Sequence, residues 1–186
     1  DAVSSVVIAT RHDSHAKYVL DSIAAGKDVF VEKPLCLTLE ELGEIEEAMS
    51  RESPPRLMVG FNRRFSPLTS RVADLVGQTS APKSFVMTVN AGKIPADHWT
   101  QDPDVGGGRI VGEGCHVIDR LRFLAGAHVA SWSVSQLRDP AESVADKVSI
   151  SLEFEDGSQG TIHYLANGHR GFPKERLEVF CGGKVL

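Results

Sequence analysis

Two side chains in this sequence have the type and setting that alcohol oxidation requires. Lys33 stands in Glu32-Lys33-Pro34. A residue before proline is pushed to extended geometry, so Lys33 is expected to close a strand rather than open a helix. In open parallel sheets, ligands sit outside the carboxyl ends of the strands, where an ammonium can donate to a substrate hydroxyl. A surface lysine on a loop is the other reading. His116 follows Glu113 by three residues, a spacing that shares one helix face. A carboxylate beside an imidazole favours its charged form and orients the ring. Oxidising an alcohol needs a hydride acceptor and a base for the hydroxyl proton, and histidine titrates in the right range for that base. A packed helix histidine bonded to Asp119 or Arg120 is the alternative.

Other polar groups cluster at expected strand ends. Thr10-Arg11-His12-Asp13-Ser14-His15 follows an apolar run and suits contact with a nucleotide, or a capped helix start with Ser14 or Asp13 as N-cap. Asn62-Arg63-Arg64-Phe65 places two guanidiniums where a carboxylate, a phosphate or a sugar rim could bind, or where they remain a solvated pair. His98-Trp99 suits a sugar face or a packing anchor. Gly106-Gly107-Gly108 allows close backbone approach, but it is not G-x-G-x-x-G and follows no buried strand, so it is not read as a phosphate cradle. Cys115 and His116 are adjacent with no second pair at ligand spacing, so no metal is expected. No G-x-S-x-G elbow is present.

The elements that must position these groups come in two rhythms. Val6–Thr10, Val29–Lys33 and Leu57–Phe61 read as strands, the first buried on both faces. Between them, Ser14–Ala25 reads as a helix stopped at Gly26. A second helix starts at Thr38, whose capping box is completed by Glu41, with Leu39, Leu42, Ile45 and Met49 as its apolar stripe. Strand alternating with helix implies a parallel sheet. Beyond Phe61 the pattern changes. Pro67–Val76 reads as a helix and Phe85, Met87 and Val89 alternate. Val148, Ile150, Leu152 and Phe154 run into the Asp156-Gly157 hairpin signal, with Ile162 and Tyr164 on the return. Leu177, Val179 and Phe180 suggest a last strand, and one helix from about Glu113 to Ala125 ends at Gly126. This half reads as an antiparallel sheet with one wet face.

The chain has 186 residues, 41% hydrophobic and 24% charged, with a net charge of -5. These are ordinary globular values that argue against nucleic acid or an anionic membrane as partner. No apolar run reaches membrane-spanning length. Three scattered cysteines, Cys36, Cys115 and Cys181, read as reduced thiols of a cytoplasmic protein. The chain opens almost directly into the apolar Val6-Val7-Ile8-Ala9 and closes on Val185-Leu186, which reads as part of a longer protein.

Taken together, Val7–His15, Ala25–Glu40 with its Glu-Lys-Pro core, Val59–Phe65, and Gly106–Gly126 with Cys115-His116-Val117-Ile118-Asp119 resemble the Gfo/Idh/MocA oxidoreductases, the glucose–fructose oxidoreductase and inositol dehydrogenase type. Val29–Leu42 and Ile94–Gly126 look most like a branch in which such a domain follows a zinc-type alcohol dehydrogenase domain. The resemblance implies α/β followed by α+β. Residues 1–62 would be the C-terminal part of a Rossmann NAD(P)-binding domain, and 63–186 an open-faced antiparallel sheet domain for substrate and oligomerisation, truncated at its C-terminus.

It implies hydride transfer between NAD or NADP and a hydroxyl of a sugar, sugar nucleotide or cyclitol, in a cytoplasmic homo-oligomer assembled through the open sheet face. Lys33 and His116 would be catalytic, with Glu113 beside them. Thr10, Arg11, His12, His15, Glu32, Lys33, Pro34 and Asn62 would face the cofactor. Lys33, Arg63, His98, Trp99 and His116 would face the substrate, and the Lys33–Pro34 bond is often cis. The family usually has Asp four residues before the histidine, where this chain has Gly112, and Pro after the strand-end threonine, where it has Arg11. The glycine fingerprint is absent from this stretch, so weak or no NAD binding and no activity are expected of it alone. A non-catalytic module for assembly or carbohydrate binding is the rival reading.

Overall fold

The computed structural model describes residues 3–137 and 146–186. The chain forms two compact units. The first comprises residues 1–61 and 97–115, the second residues 62–96 and 116–186. The sequence suggested one boundary between 62 and 63; in the structure the stretch from Asp97 to Cys115 returns to the first unit.

In the first unit, strands β1 (Ser5–Ile8), β2 (Asp28–Val31) and β3 (Leu57–Val59) form a parallel sheet in the order β1-β2-β3. Helix α1 (His15–Ala24) links the first two and α2 (Leu39–Met49) the next two. Right-handed crossovers in this order put both helices on one face. There Ile8, Val29 and Val31 pack with Ala16, Val19 and Ile23 of α1 and Ile45 of α2. The other face carries the register row Val7, Phe30 and Met58, with Val7 73% exposed. The expectation of a first strand buried on both faces is therefore corrected, because its helices cover only one.

Each strand also ends two residues earlier than its apolar run. Glu32 N donates to Ile8 O at 2.8 Å and Gly60 N to Val31 O at 2.7 Å, one last ladder bond each before the chain turns away. Thr38 caps α2 in both directions. Its hydroxyl accepts from Glu41 N at 3.1 Å, and the Glu41 carboxylate accepts from Thr38 N at 3.2 Å and Leu37 N at 2.8 Å. Such a cap contributes about 0.5–2 kcal/mol. Leu39, expected in the apolar stripe of α2, is 81% exposed.

In the second unit, six strands take the order β5-β6-β7-β4-β8-β9: β4 (Ser84–Asn90), β5 (Val129–Gln136), β6 (Lys147–Phe154), β7 (Gln159–Leu165), β8 (Glu175–Cys181) and β9 (Lys184–Val185). The sheet is mixed, since β4 and β7 pair in parallel while the other neighbours are antiparallel. Its buried face carries Phe85, Met87, Val89, Ile150, Leu152, Ile162, Tyr164 and Val179. Helix α3 (Pro67–Val76) is capped by Ser66, and α4 (Cys115–Ala125) buries Val117, Leu121 and Leu124. The Asp156-Gly157 turn is present with Gly157 at φ 82°, but the loop between β6 and β7 runs from residue 155 to 158, longer than a two-residue hairpin. Among the described residues, no helix is long and apolar enough to cross a membrane.

Candidate active site

The carboxyl ends of β1 and β2 lie side by side in the first unit, and the turns that leave them carry most of the singled-out residues. After β1, a 3-10 turn (His12–Ser14) precedes α1. Ser14 sits at the N-cap of α1, yet its hydroxyl donates backward to Arg11 O at 2.8 Å and lies 2.6 Å from the Thr10 hydroxyl, so it does not cap the helix. After β2, the Lys33–Pro34 bond is cis. His15, fully buried, holds the two turns together: Nδ1 lies 2.7 Å from Pro34 O and Nε2 3.1 Å from Thr10 O. Glu32 lies across the end of β3, where a Cβ on Gly60 would meet its Cδ at 3.2 Å.

The loop from Asp97 to Cys115 docks on these turns by backbone carbonyls. Asp13 N donates to Val105 O at 3.2 Å. His12 Nδ1 lies 2.8 Å from Gly106 O. A carbonyl only accepts, so Nδ1 carries the proton in that bond and Nε2 holds the lone pair of the neutral ring. Lys33 Nζ donates to Gly112 O at 2.7 Å. An ammonium has three N–H donors, so this bond fixes its place and leaves capacity for a hydroxyl.

Burial is the main influence that holds the His12 pKa below the ordinary histidine value, and the Lys33 and His15 charges act in the same direction. The Gly106 bond and Asp13 oppose them.

Trp99 is half-buried. Its ring meets the His12 ring edge-on at 4.9 Å, stacks with His98 at 6.0 Å and lies under the Arg11 guanidinium at 5.8 Å. Gly106 is tight because a Cβ would come within 2.6 Å of Trp99 O. Gly112 has a local reason too: a Cβ there would meet His12 Cε1 at 3.0 Å. The imidazole of His12 thus occupies space that an aspartate at 112 would need. Arg109 pairs with Glu113 at 3.2 Å within a π-helical turn, Ile110–Gly114.

In the second unit, His116 is buried near the start of α4. Asn62-Arg63-Arg64-Phe65 forms a 3-10 turn with Asn62 exposed. Its arginines are not a solvated pair, since each meets a carboxylate within the unit. Arg63 pairs with Glu175, and Arg64 pairs with Asp119 of α4. Arg120 joins Glu175 at 3.2 Å, and burial, then the Arg63 charge, hold its pKa below the ordinary arginine range. Sequence reasoning had no access to the Gly112 carbonyl as the acceptor for Lys33, since a backbone group leaves no residue-type signal.

The residues at the ends of β1 and β2 could hold part of a dinucleotide: a hydroxyl, a guanidinium, a carboxylate and an ammonium at adjacent carboxyl ends of a parallel sheet. Among the described residues, no group of three His, Cys, Asp or Glu could hold a metal ion.

Comparison with known proteins agrees with this geometry. Residues 1–61 match the oxidoreductase family with an NAD-binding Rossmann fold, and residues 77–184 match the GFO/IDH/MocA C-terminal domain. The chain is 29% identical to inositol 2-dehydrogenase 2 of Saccharopolyspora erythraea, over 91% of this chain and 50% of that protein. It is 30% identical to inositol 2-dehydrogenase of Rhizobium meliloti, over 95% and 54%. The crystal structure of an NAD-binding protein from Listeria innocua, 29% identical, superposes with a TM-score of 0.78 over 97% of this chain and 53% of that one. The chain thus spans about half the length of the curated relatives it matches.

Proposed function

The chain belongs to the Gfo/Idh/MocA oxidoreductase family, and we propose that the whole protein oxidises a hydroxyl of a sugar, sugar nucleotide or cyclitol with NAD or NADP. The bound nicotinamide supplies the hydride acceptor. Lys33 donates a hydrogen bond to the substrate hydroxyl and stabilises the negative charge that grows on its oxygen as the proton leaves. His116 takes up that proton as general base. Glu113, whose carboxylate pairs with Arg109 at 3.2 Å, is the third catalytic residue of this proposal. Thr10, Arg11, Glu32, Pro34 and Asn62 face the cofactor, with His15 holding the turns that carry the first four. His98, Trp99 and Arg63 face the substrate, Arg63 being held by its pair with Glu175. The protein is a cytoplasmic homo-oligomer. Val86 and Phe180, 37% and 42% exposed, support assembly through the open sheet face.

The observation that carries the reading is the Lys33 ammonium. It is held at 2.7 Å on Gly112 O, just past the carboxyl end of a parallel strand, in a unit that matches an NAD-binding Rossmann family. The test is NADH or NADPH production by the full-length protein over a panel of cyclitols, sugars and sugar nucleotides. Turnover is expected on at least one. Lys33→Met and His116→Asn are each expected to lower kcat about 10²–10⁴-fold. Full activity in both variants removes the assigned roles. Carbohydrate binding without turnover on any substrate favours a non-catalytic module.

A further inference from the structure

The Lys33 ammonium rests on the carbonyl of Gly112, a residue whose Cβ, were there one, would press first on the His12 ring. Gly112 has no positive φ, so its backbone suits any residue. What a side chain would meet is the His12 ring, Cε1 at 3.0 Å and Nδ1 at 3.4 Å, with Gly106 O at 3.4 Å. A contact of 3.0 Å forces the neighbour to move by a few tenths of an ångström. The ring has little room to do so: Nδ1–H is bonded to Gly106 O at 2.8 Å and the Trp99 ring edge stands at 4.9 Å. The His12 side chain therefore does two things to one loop. It ties the loop at Gly106 and it bounds the loop at Gly112.

We propose that His12 is a positioning residue for Lys33, acting through this loop to set where the Gly112 carbonyl, and hence the ammonium bonded to it, stands. The role rests on the dehydrogenase reading of Lys33. It makes residues 12 and 112 a size-matched pair in which one ring and one missing side chain depend on each other.

The experiment uses the full-length protein with Gly112→Ala, His12→Ala, the double variant and His12→Asn, whose amide N–H can still reach Gly106 O. Gly112→Ala is expected to lower kcat about tenfold with the cofactor KM unchanged, since small displacements of a reacting group cost rate before affinity. The double variant is expected to be more active than the product of the two single losses predicts, because the added methyl then meets no ring. His12→Asn is expected to keep most of the activity that His12→Ala loses. Losses that simply multiply, or His12→Asn as impaired as His12→Ala, overturn the proposal. Should Gly112→Ala fail to fold, the comparison of His12→Ala with His12→Asn decides alone.

If the wild type turns over nothing, the dehydrogenase reading fails on its own. The proposal is then read from the Lys33 Nζ resonance of ¹⁵N-lysine-labelled protein. Slow ammonium proton exchange in the wild type that quickens in His12→Ala supports it. Identical exchange in both overturns it.

Discussion

The imidazole of His15 lies 2.7 Å from the carbonyl oxygen of Pro34, with its other nitrogen 3.1 Å from Thr10 O, and no part of the residue reaches solvent. One side chain on α1 thus joins the turn after β1 to the turn after β2. His15→Ala leaves a buried gap and removes the ring that bridges the Pro34 and Thr10 carbonyls. It is expected to cost about 2–4 kcal/mol of stability. Urea unfolding reads this as a lower midpoint at unchanged slope; an unchanged midpoint would mean the ring is not holding the turns.

Burial keeps the pKa of His12 below its unfolded value, with Lys33 and His15 adding to the effect and Gly106 O and Asp13 working against it. Where the folded pKa is the lower one, the unfolded chain binds more protons as pH falls, so stability falls with it. The contribution of His12 is fully present above the ordinary histidine value and is lost as pH drops through that value toward the folded one. Unfolding midpoints measured from about pH 8 to pH 5 should decline on the acid side, and His12→Asn should decline less. An equal decline in both proteins assigns the acid sensitivity to other groups.

Much of this was legible because the signals are local. The Thr38–Glu41 box lies within four residues and forms as the pattern says. Pro67–Val76 is helical over the expected span, and the alternation of Val148, Ile150, Leu152 and Phe154 names the buried face of β6. What was illegible is non-local or carried by backbone. β5 escaped notice because seven of its eight residues are exposed, so burial imposes no alternation on Ser131, Ser133 and Ser135. Alternation also says nothing of partner direction, so the parallel pairing of β4 with β7 could not be read. Arg63 and Arg64 looked available because Glu175 and Asp119 are far away in sequence. The fit of Gly112 against His12 joins two positions 100 residues apart through a side chain that is missing.

Glu175 receives two guanidiniums, from Arg63 and from Arg120, and all three side chains are mostly shielded from water. Replacing the carboxylate with a neutral amide leaves two cations facing each other. That is worse than losing one bond, because repulsion and desolvation then go uncompensated. Glu175→Gln is expected to lower stability by about 1–3 kcal/mol, with part recovered by adding Arg63→Met. Additive losses in the double variant would show that the two arginines do not share this carboxylate energetically.

A dinucleotide is anchored chiefly by its pyrophosphate, which needs unspent backbone N–H groups at a glycine-rich strand-to-helix turn. The turns after β1, β2 and β3 carry Thr10-Arg11-His12, Glu32-Lys33-Pro34 and Gly60-Phe61-Asn62, none of them G-x-G-x-x-G. The triple glycine does not replace it. Gly106 N and Gly107 N both donate to Asp102 O, at 2.8 and 3.1 Å, and the carboxylate of Asp102 accepts from Asp104 N at 2.9 Å, which adds negative charge where a phosphate would have to sit. Residues 1–186 are therefore expected to show no saturable NADH binding in the micromolar range by fluorescence titration. Saturable micromolar binding competed by ADP-ribose would place a pyrophosphate seat within these residues and overturn that expectation.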